Sequence, residues 1–126
     1  MIVKTPILKT RVRKVPKSFS WIDHRLVRNK YIDSCSHAQA ALYLFLVCVG
    51  DKQGLSYYGD KSIIKKLSMD QQTLNMARSG LIKNSLIAWQ EPIYQVLCLE
   101  PKNKGRGAGS MMALADILKA GLGGEQ

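Results

Sequence analysis

The sequence predicts a mainly α-helical domain with a small β-sheet, and three stretches predict it. Residues 40–49 are apolar at almost every position, which requires a helix covered on most of its faces. Residues 60–83 hold two helical patterns separated only by Ser68-Met69-Asp70. Ile63, Ile64 and Leu67 mark the first, and Leu74, Ala77 and Leu81 mark the second. Residues 86–89 and 93–99, rich in β-branched and aromatic side chains on either side of Glu91-Pro92, read as a hairpin.

A chain of 126 residues has room for one domain with a single core, plus tails. A hydrophobic content of 46% excludes disorder of the whole chain. The net charge of +10 is unevenly placed. Residues 1–30 carry nine Lys or Arg and one acid, residues 31–100 carry six of each, and residues 101–126 carry four and two. A neutral body with a strongly basic arm suits contact with a polyanion through an extended segment. The alternative is a solvated tail that only keeps the protein soluble.

Along the chain, residues 1–18 alternate basic with apolar or proline positions, and Pro6 and Pro16 disfavour a helix. A mobile arm is expected there, the other reading being addition of part of it to a sheet edge. The packed body is expected to begin with Phe19, Trp21, Ile22, Leu26, Val27, Tyr31 and Ile32, with a short helix over residues 23–30 that turns Leu26 and Val27 inward. Ser36 and Gln39 match a capping box, so a long helix should run from His37 to about Gly50. Residues 51–54 have turn chemistry. Residues 55–58 then suit a strand that pairs with the hairpin, with Tyr57 and Tyr58 as cover for the core. Asp70 is placed to cap the second of the paired helices, a bond worth about 1 kcal/mol. Residues 101–109 read as a linker, and residues 110–120 as an amphipathic helix for docking on a second copy or another protein through Met111, Leu114, Ile117 and Leu118.

Helix, turn, helix and hairpin is the order of a winged helix-turn-helix. The segments Asp60-Lys-Ser-Ile-Ile-Lys-Lys-Leu-Ser-Met-Asp, Thr73-Leu-Asn-Met-Ala-Arg and Leu81 leading to Ser85-Leu-Ile resemble the winged helix-turn-helix family of bacterial, phage and transposon DNA-binding proteins. The wider stretch of residues 19–99 is similar to small accessory proteins of mobile elements and to the N-terminal domains of replication-initiation proteins. The resemblance implies a winged domain over residues 19–100 and a setting in transcription regulation or DNA replication of a mobile element or replicon. Two positions depart from the family. Ser85 stands where it usually has Gly, and Gly80 lies inside the second helix, where it costs about 1 kcal/mol relative to Ala.

The residues themselves point the same way. With Leu74, Ala77 and Leu81 turned inward, the second helix presents Gln71, Gln72, Asn75, Ser79 and Lys83, with Thr73 and Met76 at the margins and no acid after Asp70. Gln and Asn make paired hydrogen bonds to adenine in the major groove, while Ser, Thr and Lys suit phosphates and guanine. Lys61, Lys65 and Lys66 of the preceding helix, and Arg11, Arg13 and Lys14 of the arm, are the expected phosphate contacts. Arg78 falls at the edge of this face, placed for a phosphate or for pairing with an acid.

Catalysis is not expected. Two His and nine acids are scattered, with no phosphate loop and no nucleophile elbow, and Gly105, Gly107 and Gly109 follow no strand. Cys35, Cys48 and Cys98 fit neither a disulfide framework nor a zinc site, so no metal or cofactor is expected. Reduced thiols, a first segment without a continuous apolar run and no stretch long enough to span a bilayer suggest a cytoplasmic protein without a membrane partner. The expected function is non-catalytic binding of duplex DNA. The alternative is a protein-interaction adaptor that uses the same fold and the helix of residues 110–120.

Overall fold

Residues 2–99, which the computed structural model describes, form four α-helices and a three-stranded antiparallel sheet. In chain order these are α1 (Arg25–Arg28), α2 (His37–Val49), β1 (Leu55–Tyr57), α3 (Asp60–Leu67), α4 (Gln71–Lys83), β2 (Ile87–Gln90) and β3 (Ile93–Val96). Single 3-10 turns occur at Lys9–Arg11 and Ile32–Ser34. The linker and docking helix expected over residues 101–109 and 110–120 lie outside the described residues, as do Met111, Leu114, Ile117 and Leu118.

The first body residues depart from expectation. α1 is a single turn, begun by the Asp23 carboxylate accepting from the Arg25 backbone N–H at 2.8 Å and followed by Lys30 at φ 63°. One turn has one inward side, so Leu26 is buried while its neighbour Val27 faces solvent. Phe19, Trp21, Ile22 and Ile32 are exposed as well, and of the expected opening set only Leu26 and Tyr31 reach the core. All of residues 2–22 are exposed.

Helix α2 starts where the capping residues place it, with Ser36 Oγ accepting from the Gln39 backbone N–H at 3.1 Å. The reciprocal half of the box is not made. The Gln39 side chain lies instead against Gly80 of α4, its Oε1 buried and without a hydrogen-bond partner among the described residues. A β-carbon at Gly80 would strike that amide, so this glycine permits the close packing of α2 on α4. Nor is α2 covered all round. Leu42 and Leu46 are fully buried, Phe45 is half-buried with its ring edge-on to Tyr58 at 5.0 Å, and Leu44 and Cys48 are exposed.

Helices α3 and α4 are separated by three residues. Ser68 takes a left-handed conformation (φ 53°) that ends α3, and the Met69 N–H closes the turn on Ile64 O at 3.2 Å. Asp70 then caps α4, its Oδ1 accepting from the Thr73 N–H at 2.7 Å. Beyond the C-cap Asn84 of α4, Ser85 adopts φ 61°, the conformation for which glycine is the usual choice. From there β2 enters the sheet. The strand order is β1-β3-β2, with Leu55 opposite Gln95 and Trp89 opposite Tyr94. The inner face of the sheet sets Ile87 and Tyr94 against Leu42, Leu46, Ile63, Leu74, Ala77 and Leu81 in one core. Tyr58 covers that core as expected, whereas Tyr57 is largely exposed.

Two stability outcomes follow. Gly80→Ala is expected to gain about 1 kcal/mol of helix propensity in a Gln39→Ala background, and to lose most or all of that gain when Gln39 is present. Urea melts of the four proteins decide it, and an identical effect in both backgrounds would show that Gln39 is not the obstacle. Ser85→Gly is expected to stabilise the domain by about 1 kcal/mol by relieving the left-handed backbone. A lower melting temperature for that variant would contradict the local geometry.

Candidate nucleic-acid interface

The inward stripe of α4 runs 74, 77, 78, 81, and the charged residue within it organises the surface outside. Arg78 is only 7% exposed. Its Nη1 donates to Asp60 Oδ1 at 2.8 Å and to Tyr94 Oη at 2.8 Å, and its Nη2 donates to Asn75 Oδ1 at 3.0 Å. The guanidinium carbon stands 3.9 Å from the centroid of the Trp89 ring. One side chain thereby ties together the first residue of α3, the middle of α4 and both strands of the hairpin.

Burial works against the Arg78 charge, but the bonds to Asp60 and Tyr94 outweigh it and its pKa rises. The hydrogen bond from Arg78 draws the Asp60 carboxyl below its ordinary value of 3.8, against partial desolvation and with help from Gln71. Asp70 is lowered too, by its bonds to Thr73. Both acids of the α3–α4 pair are therefore ionised and engaged within the protein. The Tyr94 hydroxyl is shifted upward, chiefly by burial.

Around this anchor the expected contact residues divide into two groups. Gln72, Met76, Ser79 and Lys83 are exposed on α4, and Lys61, Lys65 and Lys66 are exposed on α3. Arg11, Arg13 and Lys14 are exposed in the arm. Gln71 and Asn75 are also exposed, but their side chains are tied inward. Gln71 Nε2 donates to Asp60 Oδ2 at 2.8 Å and to Asn75 Oδ1 at 2.9 Å. Thr73 is half-buried, and its backbone serves the cap.

The edge position expected for Arg78 is overturned, while its pairing with an acid is what the geometry contains. The signal was present in the spacing, since position 78 shares the stripe of Leu74, Ala77 and Leu81. Trp89 and Tyr94, which complete the anchor, had no such signal, because their approach to Arg78 depends on how the hairpin folds back. A shallow depression on the outer face of the sheet is lined by Leu55, Ala88, Trp89, Gln90, Glu91, Ile93 and Gln95, of which only Glu91 is ionisable. Among the described residues no three His, Cys, Asp or Glu side chains gather as a metal site, and no helix is long and apolar enough to cross a membrane.

Comparison of this chain with known protein families, with curated proteins and with solved structures finds no match.

Asp60→Ala is expected to cost about 3 kcal/mol, since it strands a buried guanidinium, whereas Tyr94→Phe removes one neutral partner and should cost about 1 kcal/mol. Equal costs in denaturant melts would show that the ion pair is not the anchor. The pH dependence has a definite sign. The Asp60 carboxyl is lowered on folding, so its contribution is complete above the unfolded value near 3.8 and is lost as the pH falls through the lower folded value. The stability gap between the parent and Asp60→Asn should therefore narrow below about pH 4.

Proposed function

We propose that this chain binds duplex DNA without catalysing a reaction on it, as a regulator or accessory factor of a mobile element or replicon. In this reading α3, α4 and the β2–β3 hairpin are the two helices and wing of a winged helix-turn-helix. α4 enters the major groove, which is wide enough for a helix. The lysines of α3 and the arm residues Arg11, Arg13 and Lys14 meet phosphates on either side.

The observation that carries the reading is the charge state of the α3–α4 surface. Of its two acids, Asp60 is paired with Arg78 and Asp70 stays charged at the helix cap, while Lys61, Lys65, Lys66 and Lys83 are exposed around Gln72, Met76 and Ser79. A surface on which four exposed lysines outnumber the one carboxylate without an ion pair, and which turns the Gln72 amide outward, suits a polyanion that displays hydrogen-bonding base edges. The exposed Phe19, Trp21, Val27 and Leu44 favour a second reading, in which the domain is a protein-interaction adaptor. Substitution at Gln72 separates the two, because an adaptor surface around Trp21 would not respond to it.

Binding to duplex DNA is expected to weaken steeply with salt, each neutralised phosphate contributing about −0.9 to the slope of log affinity against log salt concentration. Removing residues 1–17, which are exposed from residue 2 onward, should flatten that slope and leave the melting temperature unchanged. Gln72→Ala should relax preference at the base that it contacts by about 1–3 kcal/mol, whereas Lys65→Ala should weaken binding to all sequences alike. An unchanged slope after truncation removes the arm from the interface. Uniform losses for both substitutions remove α4 from the reading role.

A further inference from the structure

A carboxamide offers an acceptor at one end and donors at the other, and a half-turn exchanges them. For Gln71 and Asn75 the ends are set by partners of single polarity. Arg78 only donates, so the Asn75 atom 3.0 Å from its Nη2 is the oxygen. The ionised Asp60 only accepts, so the Gln71 atom 2.8 Å from Asp60 Oδ2 is the nitrogen. The same Gln71 nitrogen reaches Asn75 Oδ1 at 2.9 Å. Both lone-pair directions of the Asn75 oxygen and both N–H groups of the Gln71 amide are thereby engaged inside the protein. What remains for a ligand is the Gln71 oxygen, which accepts, and the Asn75 NH2 group, which donates. Gln72, with neither end engaged among the described residues, keeps both.

We propose that the Asp60–Arg78 anchor polarises the exposed face of α4 and makes Asn75 a donor-only reader that selects guanine. The proposal rests on the DNA-binding reading and makes it specific. Paired recognition of adenine needs the amide oxygen to accept from N6 while the nitrogen donates to N7, and in Asn75 that oxygen is already occupied twice. Guanine presents two acceptors, O6 and N7, to the same groove and matches an NH2 group that has only donors to give. Arg78 is a positioning residue here, acting on the base through the amide that it holds.

The test selects duplexes from a randomised library with the full chain, with Asn75→Asp and with Asn75→Ala. Asn75→Asp retains an oxygen for Arg78 and Gln71 but replaces the donor with an acceptor, which suits the N4 amino group of cytosine. The expected result is one position where the parent enriches guanine about tenfold, Asn75→Asp enriches cytosine and Asn75→Ala enriches nothing, with the other positions unchanged. Adenine at that position with the parent, or guanine retained by both variants, overturns the proposal. Side-chain amide exchange in the DNA-free chain, followed by NMR, tests the polarity by itself. The Gln71 NH2 protons should exchange at least several-fold more slowly than those of Gln72, and equal rates overturn the polarisation. Protected Gln71 protons in a chain that retains no duplex would leave the amide polarity standing and overturn both the DNA reading and the guanine selection.

Discussion

The Arg78 guanidinium is the constraint on which the α3, α4 and hairpin geometry depends. A charge this deeply buried is tolerated only where its donors are satisfied and its countercharge lies close. Asp60, Tyr94 and Asn75 supply the hydrogen bonds, and the Trp89 ring supplies an attractive face. These partners come from the first residue of α3, from the second turn of α4 and from both strands that follow. The helices and the hairpin therefore cannot shift relative to one another without exposing the charge or leaving it unpaired. The apolar contacts of Ile63, Leu74, Ala77, Leu81 and Ile87 give most of the cohesion. They are less directional, and the choice of one arrangement falls to the polar cluster.

That cluster also shapes the surface from beneath. By holding Asp60 it pairs one of the two acids of the α3–α4 surface, and by holding Asn75 and Gln71 it decides which ends of their amides remain available. Core packing and surface chemistry are here properties of the same few side chains. A substitution at a buried site such as Arg78 would alter what the exposed face offers even if the helix stayed in place.

Close approach of α2 to α4 is the second constraint, and it explains a residue that looked costly. Gly80 weakens α4 as an isolated helix, yet the space that it leaves is filled by the Gln39 side chain of α2. The same packing removes Gln39 from its place in the capping box and buries one of its polar atoms. At Ser85 the helix end instead keeps a left-handed residue with a side chain, and the Leu86 N–H still closes on Leu81 O at 3.0 Å. Gly54, at φ 82°, is the other glycine that the fold requires, because a β-carbon there would come within 2.6 Å of the Val96 carbonyl oxygen.

Local chemistry was enough to place most of the elements. The cap at Ser36, the cap at Asp70, the helical spacing of Leu74, Ala77 and Leu81, and the break at Glu91-Pro92 all act within a few residues, so the sequence by itself determined α2, α3, α4 and the three strands close to their observed limits. It determined equally the outward direction of Gln72, Ser79 and the α3 lysines, which follows from helix periodicity. Burial is a different matter, because whether an apolar residue is covered depends on what another part of the chain brings to it. Tertiary structure alone decided that Leu26 is covered while Trp21 and Val27 are not, and that one side of α2 faces solvent. It likewise decided the partners of Arg78. Asp60 is eighteen residues before Arg78 and Tyr94 sixteen after it, and no local rule joins groups at such separations until the helices cross and the hairpin folds back.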